Sequence, residues 1–200
     1  LQIERLDSLL LHRPDALMEP EEVAEAFNHL EQAGKVRHFG VSNQNPMMME
    51  LLKTAVKQPL KVNQLQLSAA FTPSFEAGFH VNMEGAKAAV RDGSVFEYCR
   101  LTDTVIQAWS VLQHGYFKGN FVGKEEFAAL NHVLNDLAKK YQVTPTAIAL
   151  AWVLRYPGKM QAVIGTTKPQ HVLEAGKAAA VTLTRKEWYQ IYLAAGNDLP

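Results

Sequence analysis

The sequence predicts an α/β fold in which β-strands and α-helices alternate. Five short apolar runs are separated by longer stretches whose apolar residues recur at helical spacing. Strands that alternate with helices in this way form βαβ units and a parallel sheet. With 200 residues, 48% of them apolar and 20% charged, the chain is long enough for one sizeable core.

The first βαβ unit is predicted from an apolar run and a well-marked helix. Residues 8–11 are a compact apolar strand that is followed at once by His12. Pro20 is suited to the first turn of a helix, and the acidic Glu21 and Glu22 favour the same end. Apolar residues recur along this helix at i, i+3, i+4 and i+7, and the helix is predicted to end at Gly34. These apolar residues are Val23, Ala26, Phe27 and Leu30.

The next elements follow in the same order. Residues 36–41 are the second strand, and Asn45 is the predicted cap of the following helix, which begins at Pro46. Residues 62–67 alternate between apolar and polar and are the third strand. The stretch 68–94 contains three glycines and little periodicity, which is typical of a functional loop.

The last part of the chain contains two more predicted strands, at 104–109 and 160–164. Between them lie a helix over residues 124–141 and a second helix that Thr144 and Pro145 open. After the fifth strand, Thr184 and Glu187 have the spacing of a capping box and start a final amphipathic helix.

Composition excludes several classes of protein. The net charge is zero and the isoelectric point is about 7.2, which argues against nucleic-acid binding. No apolar run is long enough to span a bilayer, and no signal peptide opens the chain. The single cysteine, Cys99, excludes an intramolecular disulfide, and no H-E-x-x-H spacing indicates a metal site. We therefore expect a soluble cytoplasmic protein without a resident metal.

Two parallel architectures fit this pattern. A doubly wound sheet is disfavoured because neither a G-x-G-x-x-G nor a P-loop motif occurs. A (β/α)8 barrel needs eight strands, and only five are countable here. Because the first residue is Leu1 and not Met, we expect the three remaining strands to lie before it.

Polar residues follow or end every predicted strand. In a parallel barrel the carboxyl ends of the strands meet on one face, where the chemistry takes place. Uncharged groups at these ends suit a polar, neutral ligand fragment such as an amide, and Trp109 offers a flat stacking surface. Alternatively, these residues are polar only because the ends of strands are exposed to solvent. Both interpretations stay open. The residues are His12, Ser42, Asn43, Gln64, Ser110, Thr166 and Thr167.

His12 is open to two interpretations as well. An isolated histidine is more often structural than catalytic. Its place after an apolar strand favours a neutral imidazole that donates a hydrogen bond to a carbonyl oxygen. A hydrolase triad around Ser110 is disfavoured because the G-x-S-x-G motif is absent. Cys99 is expected to be a buried, structural thiol.

Several sequence blocks resemble the aldo-keto reductase family, in particular its bacterial oxidoreductase branch. The blocks are DSLLLHRP (7–14), GKVRHFGVSN (34–43), VNQ (62–64), QAWS (107–110) and residues 182–200. The family consists of single (β/α)8 barrels of roughly 300 residues. The resemblance implies that residues 1–200 are one partial domain, the C-terminal part of a TIM barrel from about strand four to strand eight, without the first three strands.

The resemblance also implies a function and a set of site residues. The expected activity is NAD(P)H-dependent reduction of aldehydes or ketones to alcohols, or the reverse oxidation, on a small carbonyl or alcohol substrate. His12 matches the family's catalytic histidine, whereas the catalytic Tyr, Asp and Lys are expected upstream of Leu1. Ser42, Asn43 and Gln64 match the positions that hold the nicotinamide carboxamide.

The remaining cofactor positions are also implied by resemblance. Trp109 matches the residue that stacks on the nicotinamide ring, and Ser110 and Leu112 match residues along the pyrophosphate. Thr166, Thr167, Lys168 and Glu174 match the adenosine-phosphate loop. The resemblance implies NADP as the cofactor. NAD stays open as the alternative because His171 or Val172 stands where the family has an arginine for the 2′-phosphate.

Two other hypotheses stay open. The chain could be a catalytically incomplete fragment that binds nucleotide or a protein partner, or an unrelated barrel such as a phosphosugar enzyme. The last is disfavoured because 164–167 is a poor phosphate loop. Five parallel strands cannot close a barrel. We therefore expect either a missing N-terminal segment or self-association, and neither a nucleic-acid nor a membrane partner.

Overall fold

A computed structural model describes residues 2–15, 18–79, 94–115 and 118–197. Within these residues strands and helices alternate through most of the chain, as predicted. The strands are β1 Leu6–Leu11, β2 Val36–Ser42, β3 Leu60–Gln66, β4 Val105–Trp109 and β5 Met160–Ala162. The helices are α1 Pro20–Gln32, α2 Pro46–Lys53, α3 Pro73–Phe79, α4 Val95–Leu101, α5 Ala128–Tyr141, α6 Pro145–Leu154, α7 Pro169–Gly176 and α8 Arg185–Ala194. No helix of this described part is both long and apolar enough to cross a membrane.

The five strands are hydrogen-bonded in the order β1-β2-β3-β4-β5, which confirms the predicted number of strands. β1 and β2 are parallel, as are β2 and β3. Leu11 is opposite Val41, and Val41 is opposite Asn63, so the carboxyl ends of the three strands lie at one edge. The described residues divide into two compact units, one from Leu1–Leu65 and Ser94–Gln107 and one from the rest.

The core of the first unit is built where α1 and α2 pack on the strands. Phe27 of α1 stacks on Phe39 of β2 with ring centroids 4.2 Å apart. Asn45 caps α2 by accepting a hydrogen bond from the backbone N–H of Met48 at 2.9 Å, as its sequence predicts. Gly34 ends the α1 segment in the left-handed region with a φ of 66°, which glycine adopts without steric cost.

Gly40 lets β2 approach β3 closely. A Cβ at this position would lie 2.5 Å from the carbonyl oxygen of Val62 and 2.7 Å from Cδ2 of Leu10. The register between the two strands shifts at the same point, where Phe39 pairs with Leu60 but Gly40 pairs with Val62. Beyond this shift the ends of β2 and β3 are paired, with Ser42 opposite Gln64.

The core of the second unit centres on two tryptophans. Trp152 of α6 and Trp188 of α8 stack with centroids 4.8 Å apart and an interplanar angle of 9°. Each indole N–H donates to the other residue's backbone carbonyl at 3.0 Å. A buried indole N–H usually needs a hydrogen-bond acceptor, and this reciprocal arrangement provides one for each of the two tryptophans.

The predicted helix over 124–141 is shorter than expected. A 3-10 turn covers Glu125–Phe127, and α5 begins only at Ala128. The buried amide of Asn131 explains the break, because its Nδ2 donates to the carbonyl oxygens of Phe127 and Lys124. These carbonyls bend towards one side chain instead of continuing a regular helix. β5 is also shorter than predicted, ending at Ala162, and β3 begins two residues earlier, at Leu60.

Glu187 ties α8 to α5. Its carboxylate accepts hydrogen bonds from Lys140 Nζ at 2.5 Å, from Tyr141 OH at 2.9 Å and from the backbone N–H of Thr184 at 2.8 Å. The capping box predicted from Thr184 and Glu187 is confirmed. Burial alone would raise the pKa of Glu187, but these hydrogen bonds outweigh burial and lower it to about 2.

Replacing Gly40 with alanine is expected to lower the free energy of unfolding by about 1–3 kcal/mol, because the new methyl group overlaps backbone that cannot move freely. Urea denaturation measures the loss. Gly176→Ala is the matched control, since a Cβ there would meet no atom within 4 Å apart from its chain neighbours and the nearby backbone of its own helix. Equal stability of Gly40→Ala and wild type would contradict the close approach.

Glu187→Gln is expected to lower stability at neutral pH by about 1–3 kcal/mol, because Lys140 and Tyr141 lose a charged acceptor. Since the folded-state pKa is depressed from 4.5 to about 2, the carboxylate stabilises the fold above pH 4.5. Its contribution is lost as pH falls from 4.5 towards 2. Thermal unfolding across this range should show the wild type approaching the variant, and a constant difference between them would contradict the assignment.

Candidate functional site

Four predicted site residues lie at the carboxyl ends of β1, β2 and β3 in the first unit. β1 ends at Leu11 and is followed by the exposed His12. Because Leu11 is in register with Val41, His12 follows its strand at the same level as Ser42, which is in turn opposite Gln64. The structure thus brings His12, Ser42, Asn43 and Gln64 to one edge of the sheet, as the strand-end pattern predicts.

A chain of hydrogen bonds connects three of these residues. Asn43 Nδ2 donates to Ser42 Oγ at 2.7 Å, and Ser42 Oγ donates to the Gln64 carbonyl oxygen at 3.0 Å. The same carbonyl accepts the backbone N–H of Asn43 at 2.9 Å. Gln64 Nε2 donates to Gln107 Oε1 at 3.1 Å. The cluster is uncharged and contains both donors and acceptors, which is the chemistry that recognises an amide.

The backbone at Asn43 is in the left-handed region, with a φ of 55°. Ser110, the residue directly after β4, has a φ of 52°. Residues with a side chain seldom adopt this conformation, and it occurs often at functional sites. Both residues were predicted as cofactor contacts, so the turn after β2 and the turn after β4 each place a predicted residue in an uncommon backbone geometry.

The second unit contains a cavity of about 470 Å³. Five of the seven residues predicted for this part of the chain line it, whereas Thr167 and Lys168 do not. The five lining residues are Trp109, Ser110, Leu112, Thr166 and Glu174. The volume is in the usual range for small-molecule and cofactor sites.

The polar lining of this cavity is held by short local contacts. Thr166 Oγ1 lies 3.3 Å from Nδ1 of His171 and accepts the backbone N–H of Lys168 at 3.2 Å. Gln170 donates to the Glu174 carboxylate at 3.0 Å. Lys168 itself is exposed and directly precedes α7. The lining is therefore mixed, with an apolar wall around Trp109 and hydroxyl, imidazole and carboxylate groups on α7 and the loop before it.

Sequence reasoning gives no role to two amides of the first unit, of which one bonds to this cluster and the other lies beside it in β3. The side chain of Gln107 is hydrogen-bonded to that of Gln64. Asn63, which precedes Gln64 in β3, is fully buried. The signal for Gln107 was available, because residues 107 and 109 share one face of a strand with a period of two. For Asn63 the available signal is that a polar residue occupies a position of the strand that is expected to be buried.

Other candidate chemistry is absent from the part of the chain that the structure describes. No group of three or more His, Cys, Asp or Glu residues among these residues is arranged to hold a metal ion. Cys99 is buried in α4, as predicted, and burial raises the pKa of its thiol to about 11. A buried thiol with so high a pKa is a poor nucleophile, which favours a structural role for Cys99.

The chain is a member of the aldo/keto reductase family, whose model matches residues 1–194. Oxidoreductase YdhF of Escherichia coli is 35% identical over 202 residues, which cover 100% of this chain and 61% of the relative. The 6-dehydroglucose reductase of Agrobacterium fabrum is 34% identical over 198 residues, which cover 98% of this chain and 59% of the relative. The chain thus spans about three fifths of the length of these relatives.

Solved structures give the same fold. An aldo/keto reductase from Klebsiella pneumoniae, crystallised with NADP and acetate, aligns with a TM-score of 0.72 at 23% identity, covering 95% of this chain and 59% of that one. A thermostable aldo-keto reductase in complex with the inhibitor epalrestat aligns with a TM-score of 0.71 at 22% identity, covering 96% of this chain and 60% of that one. The fold is therefore the α/β fold of this family, with a parallel sheet.

Two substitutions at Asn43 test the left-handed turn. Both Asn43→Gly and Asn43→Ala remove the hydrogen bond to Ser42, but only glycine adopts a φ of 55° without steric cost. Asn43→Ala is therefore expected to be less stable than Asn43→Gly by about 1 kcal/mol, as measured by chemical denaturation. The reverse order, which is usual in regular helices and strands, would contradict this backbone geometry.

Proposed function

We propose that this protein is a nicotinamide-dependent oxidoreductase that reduces aldehydes or ketones to alcohols. The observation that carries the proposal is the cavity of the second unit, which five residues matched to cofactor positions line together. The family membership supports the reaction class. The names of the relatives, among them a 6-dehydroglucose reductase, support a small carbonyl substrate.

The donor sets fit the parts of a nicotinamide cofactor, each unit considered by itself. In the first unit, Ser42, Asn43 and Gln64 offer the hydroxyl and amide groups that a carboxamide needs. In the second unit, Trp109 offers a flat apolar face for the ring, and Ser110 and Leu112 line the same cavity for the pyrophosphate.

The residues after β5 are assigned to the adenosine half of the cofactor. Thr166 and Glu174 line the cavity, and Thr167 and Lys168 complete the segment that leads into α7. Lys168 is the cation proposed for the 2′-phosphate, which favours NADP over NAD. The NADP in the Klebsiella pneumoniae structure supports this choice.

His12 is the proposed catalytic residue of this chain. When bound, the nicotinamide supplies the hydride that reduces a carbonyl carbon. The exposed imidazole of His12 at the end of β1 donates a hydrogen bond to the carbonyl oxygen, which gains negative charge. The side chain thereby orients the substrate and stabilises the charge that develops.

We further propose that the five strands correspond to the last five of an eight-stranded barrel, and that residues 1–200 are one partial domain. The chain's coverage of about three fifths of its relatives supports this assignment. The catalytic Tyr, Asp and Lys are then expected upstream of Leu1, and the cytoplasmic location expected from composition remains a prediction. Association with such a segment, or with a second copy, is part of the same proposal.

Titration with NADP⁺ tests the cofactor assignment. The chain has three tryptophans, and Trp152 and Trp188 are buried against each other. Trp109 is therefore expected to account for most of the fluorescence quenching on binding. Trp109→Phe should remove most of the quenching but weaken the affinity measured by calorimetry by less than about tenfold, because phenylalanine keeps an aromatic face.

Trp152→Phe is the matched control and should leave the quenching intact. Absence of NADP⁺ binding to the wild type, or quenching that persists in Trp109→Phe, would contradict the proposal. In a protein that also contains the expected upstream segment, binding without oxidation of NADPH by a simple aldehyde would favour the alternative of a nucleotide-binding chain that is catalytically incomplete.

A further inference from the structure

Asn63 is a polar side chain in the most buried part of β3. It is 0% exposed, and its amide is used entirely by neighbouring protein groups. Nδ2 donates to the carbonyl oxygen of Gln44 at 2.9 Å and contacts Sδ of Met49 at 3.6 Å. Oδ1 accepts the backbone N–H of Gln44 at 3.5 Å. A buried amide is costly unless it is paired, so these bonds fix both Asn63 and its partner.

The partner, Gln44, follows the left-handed residue Asn43. Both backbone groups of Gln44 are bound by one side chain of β3, and the backbone N–H of Asn43 is bound by the carbonyl oxygen of the next residue, Gln64. The turn is thus anchored on both sides of Asn43. Without the anchor at Gln44, the φ of 55° at Asn43 would have less to hold it, because this region is unfavourable for a residue with a side chain.

Asn63 also contacts α4, which contains Cys99. Its amide also bonds the thiol of Cys99, which is 1% exposed. Asn63 therefore has no surface that a ligand could reach. Any effect that it has on binding must act through the turn that it anchors.

We propose that Asn63 is a positioning residue for the nicotinamide end of the cofactor. It binds Gln44, fixes the left-handed turn, and so orients the Asn43 amide and its partner Ser42 towards a carboxamide. The proposal rests on the proposed function, in which Asn43 and Ser42 bind that group. Asn63 would therefore contribute to the affinity for the cofactor without contacting the cofactor itself.

Asn63→Ala tests the proposal, with Gln58→Ala as the matched control. Gln58 is a second buried amide of the same unit, and its Nε2 donates to Asn28 and Glu31 at 2.8 Å. Each variant removes side-chain hydrogen bonds of an amide in this unit, but those of Gln58 run to Asn28 and Glu31 in the first helix and not to Gln44. Calorimetric titrations use NADP⁺, nicotinamide mononucleotide and adenosine 2′,5′-bisphosphate, so that the two halves of the cofactor are measured separately.

Asn63→Ala is expected to weaken the affinity for NADP⁺ and for nicotinamide mononucleotide by about tenfold or more, because a displaced ligand group loses its alignment. Its affinity for adenosine 2′,5′-bisphosphate should stay within twofold of wild type. Gln58→Ala should leave all three affinities unchanged. If Asn63→Ala does not fold, Asn63→Ser replaces it and is expected to show the same selective loss.

A ligand-free measurement separates this inference from the proposed function. In a crystal structure of the variant, Asn43 is expected to leave the left-handed region. If wild type binds none of the three ligands, the proposed function fails and the φ of Asn43 alone decides whether Asn63 holds the turn. If wild type binds them and the variant keeps its nicotinamide affinity, or loses all three affinities equally, the positioning role is overturned.

Discussion

The arrangement of the candidate site in the first unit depends on the carbonyl oxygen of Gln64. This oxygen accepts hydrogen bonds from the backbone N–H of Asn43 and from the hydroxyl of Ser42. One atom of β3 therefore holds both the last residue of β2 and the residue after it. The contact requires this register of the strands, and the register shift lies at Gly40, where β2 closely approaches Val62. The close approach at a residue without a side chain thus lies two and three residues before the polar groups Ser42 and Asn43.

The side chains of the cluster are hydrogen-bonded to one another or to the backbone of β3. Amides and hydroxyls that are bonded to one another have already lost their rotational freedom, so binding does not have to order them again. The buried layer beneath, with Asn63 and Cys99, extends this rigidity into the core. Neutral donors and acceptors suit a neutral amide, whereas charged groups in the same place would require strong desolvation. The cavity of the second unit has a different lining, which combines the aromatic side chain of Trp109 with polar residues of α7.

Local signals made much of the fold predictable. Pro20, Asn45 and the Thr184–Glu187 pair act within a few residues, and their helices begin where the sequence places them. The break before α5 was not predictable, because the amide of Asn131 causes it by binding carbonyls up to ten residues away.

The candidate site divides in the same way between local and non-local information. The strand-end positions of His12, Ser42 and Asn43 followed from the pattern of apolar runs. The bond between Gln64 and Gln107 depends on which residues of two strands are opposite, and a single sequence does not specify this register.

The most direct test of the account is nuclear magnetic resonance of the side-chain amide groups during titration with nicotinamide mononucleotide. We expect the NH₂ signals of Asn43 and Gln64 to shift together and to saturate at one ligand per chain. The NH₂ signal of Gln58, which is bound to Asn28 and Glu31, should not move. Saturable binding that shifts other amides but leaves Asn43 and Gln64 unchanged would contradict the claim that these strand ends recognise the carboxamide.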